Sequence, residues 1–140
     1  MDAIRPFAPV LDLLRGVKLR PTRQRLALAR LLFGRGHRHL SAEELHSEAL
    51  GDRVRVSLAT VYNTLHHFVG HGLLREVVVE PGRSYFDTNT SEHHHFFFED
   101  NARLEDIPGD RMQIVTLPEP PAGTRVRRVD IVVRVGNDKK

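Results

Sequence analysis

The chain has 140 residues, 40% apolar and 28% charged, a balance that can fill a packed interior and excludes wholesale disorder. It has no cysteine, which excludes disulfides, a thiolate nucleophile and any cysteine-ligated zinc, so a metal site must draw on its nine histidines and its carboxylates. The net charge of +3 is uneven: residues 1–38 carry nine basic and two acidic side chains, residues 1–83 a balance of +5, and residues 84–140 a balance of −2. A polyanion partner is therefore expected for the N-terminal part alone, the plain alternative being a solvated helical face. No stretch approaches 18 consecutive apolar residues, and Met1–Val17 lacks a long apolar core. Neither a membrane partner nor a secretory signal is expected, and the location expected is cytoplasmic.

In chain order, Val10–Arg15 reads as a short helix stopped by Gly16, and Pro21 suits the first turn of a second. Leu26, Ala29, Leu32 and Phe33 recur there at helical spacing up to Gly34 and Gly36. Ser41-Ala42-Glu43-Glu44 is a capping box that opens a helix ending near Gly51. A further helix starts near Ser57, with Leu58, Val61, Leu65, Phe68 and Val69 forming one apolar stripe. β-Branched Val77–Val79, the Pro81-Gly82 turn and Ser84–Asp87 read as a hairpin. Helix–turn–helix followed by a two-stranded wing is the winged-helix pattern, so the spacing predicts such a domain over residues 1–88. Residues 89–140 form a second domain, with strands expected at His93–Phe98, Leu104–Ile107, Gln113–Leu117 and Val126–Val135. The class is α+β.

A recognition helix buries one face and presents small polar or planar groups on the other. Ser57, Thr60, Tyr62, Asn63 and Thr64 crowd the start of the last helix. Asn can bond adenine bidentately, Thr can meet thymine methyls, and hydroxyls can hold phosphates. Lys18 and Arg20, before the second helix, can reach phosphates or a minor groove. These residues are the candidate DNA contacts, against the alternative of a merely wet polar face.

The triplet His93-His94-His95 opens a strand, and alternation puts His93 and His95 on one face and His94 on the other. Two imidazoles two residues apart can share a metal or approach a haem iron. With Asp87, Asp106 and His39 they yield a candidate metal set of His39, Asp87, His95 and Asp106, while His93, His94 and His95 are the candidate haem segment. Imidazole and carboxylate donors suit Fe(II), Mn(II) or Zn(II). Histidine triplets also occur as plain surface sequence, and that alternative stays open here. A small His/Asp metal-dependent hydrolase is a further alternative, although no HExxH, nucleophile elbow or phosphate loop is present.

Gly16–Arg23, His39–Leu45 and Leu58–Leu65, followed in order by Ser84–Asp87 and the triplet, resemble the signature segments of the ferric uptake regulator family. The resemblance covers about residues 10–107. The stretches ATVYNTL, YFDTNTSEHHHFFFEDN and LPEPP look most like its haem-responsive iron response regulator branch in α-proteobacteria. The resemblance implies a winged-helix domain followed by a small α/β dimerisation domain, and a homodimer on double-stranded operator DNA. It assigns DNA contact to Lys18, Thr60, Tyr62 and Asn63, and a regulatory metal to His39, Asp87, His95 and Asp106. It implies an iron-responsive transcriptional regulator, a repressor modulated by haem, by divalent metal or by both. A metal sensor without a haem role is the alternative.

Three departures matter. Phe98-Glu99-Asp100-Asn101 stands where the family's first Cys-x-x-Cys pair lies, so the structural zinc is expected to be lost. The Cys-Pro haem motif of some relatives cannot exist in a chain without cysteine. Only Leu117–Arg125, four of whose residues are proline or glycine, is available for the dimerisation helix, which should be reduced or missing. The family's second histidine–carboxylate site also lacks its C-terminal ligands.

Overall fold

A computed structural model describes residues 8–91 and 93–138. The chain divides into two units between Thr90 and Ser91.

The first unit begins with helix α1 (Ala8–Gly16), then α2 (Arg23–Phe33). Lys18, in the connection, takes the left-handed conformation at φ 60°. Thr22 caps α2 by accepting from the Arg25 N–H, and Leu28, Ala29, Leu31 and Leu32 turn inward. Helix α3 (Ala42–Gly51) opens on the expected capping box: Ser41 Oγ accepts from Glu44 N at 3.1 Å, and Glu44 Oε1 accepts from Ser41 N at 3.0 Å. Such a cap is worth about 1 kcal/mol. Helix α4 (Leu58–Gly70) is capped by Ser57 and buries Val61, Thr64, Leu65 and Phe68, spaced i, i+3, i+4, i+7.

Strands β2 (Arg75–Glu80) and β3 (Arg83–Asp87) form the expected hairpin, turning at Gly82 with φ 74°. A third strand, β1 (His39–Leu40), pairs with β3, so the sheet order is β1-β3-β2. Two residues are too few to leave a periodicity, and the sequence reading has His39 as a candidate metal ligand without assigning it to a strand. Arg38 precedes this strand, and it is not available to a polyanion. Its guanidinium makes a two-pronged ion pair with Glu48 and donates to the Leu31 carbonyl at 3.1 Å. Its N–H donates to Thr88 Oγ1 at 2.8 Å.

The second unit is a three-stranded sheet of order β5-β4-β6, made of β4 (His94–Phe98), β5 (Arg103–Ile107) and β6 (Val132–Val135). β5 pairs antiparallel with β4, and β6 runs parallel to β4 on its other edge. The strands expected over Gln113–Leu117 and over the first residues of Val126–Val135 do not form: Met112–Ile131 has no strand, and only Val132–Val135 pairs. Pro118, Pro120 and Pro121 cannot donate to a ladder, which ends extended pairing around them. Among the described residues this unit holds no α-helix, only a 3-10 turn at Gly109–Arg111. Within Leu117–Arg125, where a helix is expected to be reduced or missing, Thr124 N donates to the Pro121 carbonyl at 3.0 Å in a turn.

The two units differ sharply in core. Among the described residues the first has twenty-one buried apolar ones, including Leu14, Leu28, Leu45, Leu65, Phe68 and Phe86; the second has three, Phe97, Leu104 and Ile107.

Candidate nucleic-acid face and metal centre

The α4 N-terminus is rigidly built. Ser57 Oγ accepts from Thr60 N at 3.1 Å and its hydroxyl donates to Thr60 Oγ1 at 3.0 Å. Asn63 is exposed one turn further on. Tyr62 packs its ring against the core cluster and its hydroxyl donates to Glu43 Oε1 at 2.7 Å. Thr64 corrects the sequence reading. It is 5% exposed and lies on the inward face with Val61, Leu65 and Phe68, so it cannot meet DNA. Its side chain is compact enough to be buried within an otherwise apolar stripe.

Lys18 and Arg20 are exposed. The Arg20 carbonyl accepts from Arg25 Nη1 at 2.9 Å, and Arg25 Nη2 donates to His67 Nδ1 at 3.2 Å, which ties the connection before α2 to α4. Glu43 was missed by the sequence reading. It appeared there only as the third residue of the capping box, and nothing in the pattern pairs it with Tyr62. The Tyr62 hydrogen bond is the main cause that holds the Glu43 carboxyl below the usual carboxylate range. The same bond pushes the Tyr62 hydroxyl above its ordinary value.

The expected metal ligands fall in both units. In the first, β1 and β3 place His39 directly opposite Asp87, with Arg75 opposite Asp87 on the other side. Asp87 is buried, and its Oδ1 accepts from Asn89 N at 2.8 Å. In the second, His93 and His95 lie on one face as alternation requires, their rings 4.5 Å apart between centroids. His95 is opposite Asp106 in the β4/β5 register. Asp106 Oδ1 lies 3.3 Å from His93 Nε2 and 3.2 Å from His95 Nε2. Ligand atoms of these three residues all lie within 4.8 Å of one another. The sequence reading names His93 among the haem candidates and leaves it out of the four-residue metal set, although the i, i+2 spacing already put it beside His95.

The tautomers sharpen the roles. The Ser91 carbonyl can only accept, so His93 Nδ1, at 2.7 Å from it, carries the proton. In neutral His93 the Nε2 lone pair then faces a carboxylate oxygen, an arrangement that a cation between them relieves. A histidine whose other ring N–H is held by a backbone carbonyl is a favourable metal ligand. His94 is the reverse: its Nδ1 accepts from Ile131 N at 3.1 Å, which leaves Nε2 as the protonated nitrogen of the neutral ring. A cavity of about 410 Å³ in this unit is lined by His93, His94, Met112, Leu117, Val126 and Arg127, among others.

The profile of the ferric uptake regulator family matches residues 16–117. The peroxide-responsive repressor PerR of Staphylococcus aureus is 34% identical over 94 residues, which span 67% of this chain and 63% of the repressor. The match therefore spans less than two thirds of that relative's length. The ferric uptake regulator from Pseudomonas aeruginosa with manganese superposes with a TM-score of 0.70 at 23% identity, over 92% of this chain and 98% of that one. The peroxide stress regulator of Campylobacter jejuni superposes at 0.57 and 22% identity, over 100% and 99% of the two chains. The family is one of transcription regulators and not of enzymes, which removes the hydrolase alternative. With its profile matched from the Gly16–Arg23 segment to Leu117, the chain belongs to the ferric uptake regulator family.

Proposed function

We propose that the chain is a homodimeric, metal-responsive transcription regulator that binds double-stranded operator DNA in the cytoplasm. One observation carries the sensing half: His93 Nε2, His95 Nε2 and Asp106 Oδ1 converge in a chain without thiolates. The donor set fits Fe(II), Mn(II) or Zn(II), and a cysteine-ligated structural zinc is excluded by composition. His39 and Asp87 of the first unit are proposed as metal ligands too, on the strength of the sequence resemblance. A bound ion supplies the charge that holds imidazole and carboxylate groups in one arrangement. Its effect on DNA affinity then equals its preference for that arrangement, about 1–3 kcal/mol for a typical coupling. The dimer reading is supported by Ile114, Val115, Leu117 and Val126, apolar side chains of the second unit that are 38–85% exposed.

The DNA reading rests on the capped α4, its exposed Asn63, and the exposed Lys18 and Arg20 in a basic segment. Selection from a random duplex pool in the presence of Mn(II) should enrich a sequence with inverted symmetry, and a pool that stays random would sink the reading. Affinity for the enriched duplex should fall steeply with salt. Lys18→Ala and Arg20→Ala should each lower the slope of log K against log salt by about 1; an unchanged slope would remove these residues from the phosphate contacts.

The finer reading is that haem is the iron signal, as in the branch that the sequence resembles. The cavity fits a tetrapyrrole in kind: apolar walls, cationic Arg127 and Arg128, and histidine at one side. Of the triplet, His93 has the tautomer for axial ligation and His94 does not. Haem and a divalent metal would then compete for His93. In haem titrations, His93→Ala should lose the Soret shift of the wild type and His94→Ala should retain it. The opposite pattern would overturn this assignment, and no shift in the wild type would leave a metal sensor without a haem role.

A further inference from the structure

The Tyr62–Glu43 hydrogen bond has a consequence for how the α4 face reads a duplex. Tyr62 is the fifth residue of α4, in the N-terminal half that a helix–turn–helix directs at base edges. Its ring is anchored in the core cluster, so the hydroxyl is not free to wander. The phenolic proton is committed to Glu43 Oε1 at 2.7 Å. What the Tyr62 oxygen still offers is lone pairs, and beside it stands a carboxylate, which has only lone pairs.

We propose, resting on the DNA-binding reading above, that Tyr62 and Glu43 together form an acceptor-only reader of exocyclic amino groups, with Glu43 as the residue that positions and polarises the tyrosine hydroxyl. In the major groove the donors are adenine N6 and cytosine N4, and both can be met by such a pair. Phosphate oxygens, being acceptors, are rejected twice. The hydroxyl has no proton to give them, and the Glu43 charge repels them. The pair therefore adds selectivity to a lobe whose excess of cations favours any duplex. Glu43 is kept ionised by the same contact, with Ser41 and the Arg83 charge acting in the same direction.

The test uses the full chain, the duplex enriched by selection, its single-base-pair variants and a random duplex. Tyr62→Phe should weaken the enriched duplex about tenfold and flatten the preference at one base pair. Glu43→Ala should flatten the same position while binding of the random duplex stays level or tightens, and Glu43→Gln, which keeps an acceptor, should restore most of the preference. In the Tyr62→Phe background Glu43→Ala should cost the enriched duplex nothing more. Independent of DNA, Glu43→Ala should lower the ionisation midpoint of one of the two tyrosines in an ultraviolet titration. Equal losses on enriched and random duplexes, or the same loss from Glu43→Ala with and without the Tyr62 hydroxyl, would overturn the pairing. If the wild type enriches no duplex, the DNA reading itself fails and takes this inference with it. If it enriches one and the variants match the wild type, only this inference fails.

Discussion

In a chain carrying His95→Ala and Asp106→Ala, added Mn(II) is expected to leave operator affinity unchanged. His95 is 2% exposed and its Nε2 lies 3.2 Å from Asp106 Oδ1. The two changes remove a buried imidazole and the only carboxylate that the second unit contributes to the cluster. His93 alone remains there, and one neutral imidazole is a weak site for any of the three metals. The wild type should gain about 5–150-fold in affinity on metal addition, which is the coupling of about 1–3 kcal/mol read as a binding ratio. The double variant should gain nothing, and calorimetric titration should show its metal affinity collapse in parallel. His67→Ala is the control: that ring accepts from Arg25 far along the chain from the cluster, and its loss should leave the metal response intact. A double variant that still responds would place the sensing ion elsewhere.

The second large effect is on stability. Phe97→Ala should cost about 3–5 kcal/mol, the usual range for emptying a buried phenylalanine site. Phe97 is 1% exposed, and among the described residues of its unit the only other buried apolar ones are Leu104 and Ile107. A unit of this size with no cysteine to form a disulfide or ligate a zinc has little stability to lose. The expected result is a separate low-temperature transition in scanning calorimetry, while the first unit, with twenty-one buried apolar residues, melts near its original temperature. If a second copy covers Ile114, Val115, Leu117 and Val126, the low transition of the wild type should also rise with protein concentration. A single unshifted transition in the variant would show that Phe97 is not the centre of that unit.

The first unit was legible in the sequence because its signals are local. The Ser41 capping box, apolar spacing along α4 and the Pro81-Gly82 turn each act within a few residues, whereas Pro21, expected in the first turn of α2, lies before its Thr22 cap. β1 was illegible because two residues carry no period, and its partner β3 lies far along the chain. Thr64 was misread because helical spacing assigns faces by polarity, whereas the inward face here accepts a hydroxyl. The Tyr62–Glu43 bond links two helices and has no trace in either pattern. In the second unit alternation placed His93 and His95 together, but which nitrogen of each ring is free depends on Ser91 and Ile131, backbone groups that only the fold brings near. Gln113–Leu117 looked like a strand by composition and lacks one because no neighbouring strand pairs with it.

Operator binding by the purified wild-type chain, measured at fixed salt with and without Mn(II), tests the central claim most directly. Affinity for the enriched duplex should rise about 5–150-fold with the metal while affinity for a random duplex changes little. Identical operator affinity in the two conditions, with metal binding confirmed by calorimetry, would contradict metal-responsive DNA recognition by this chain.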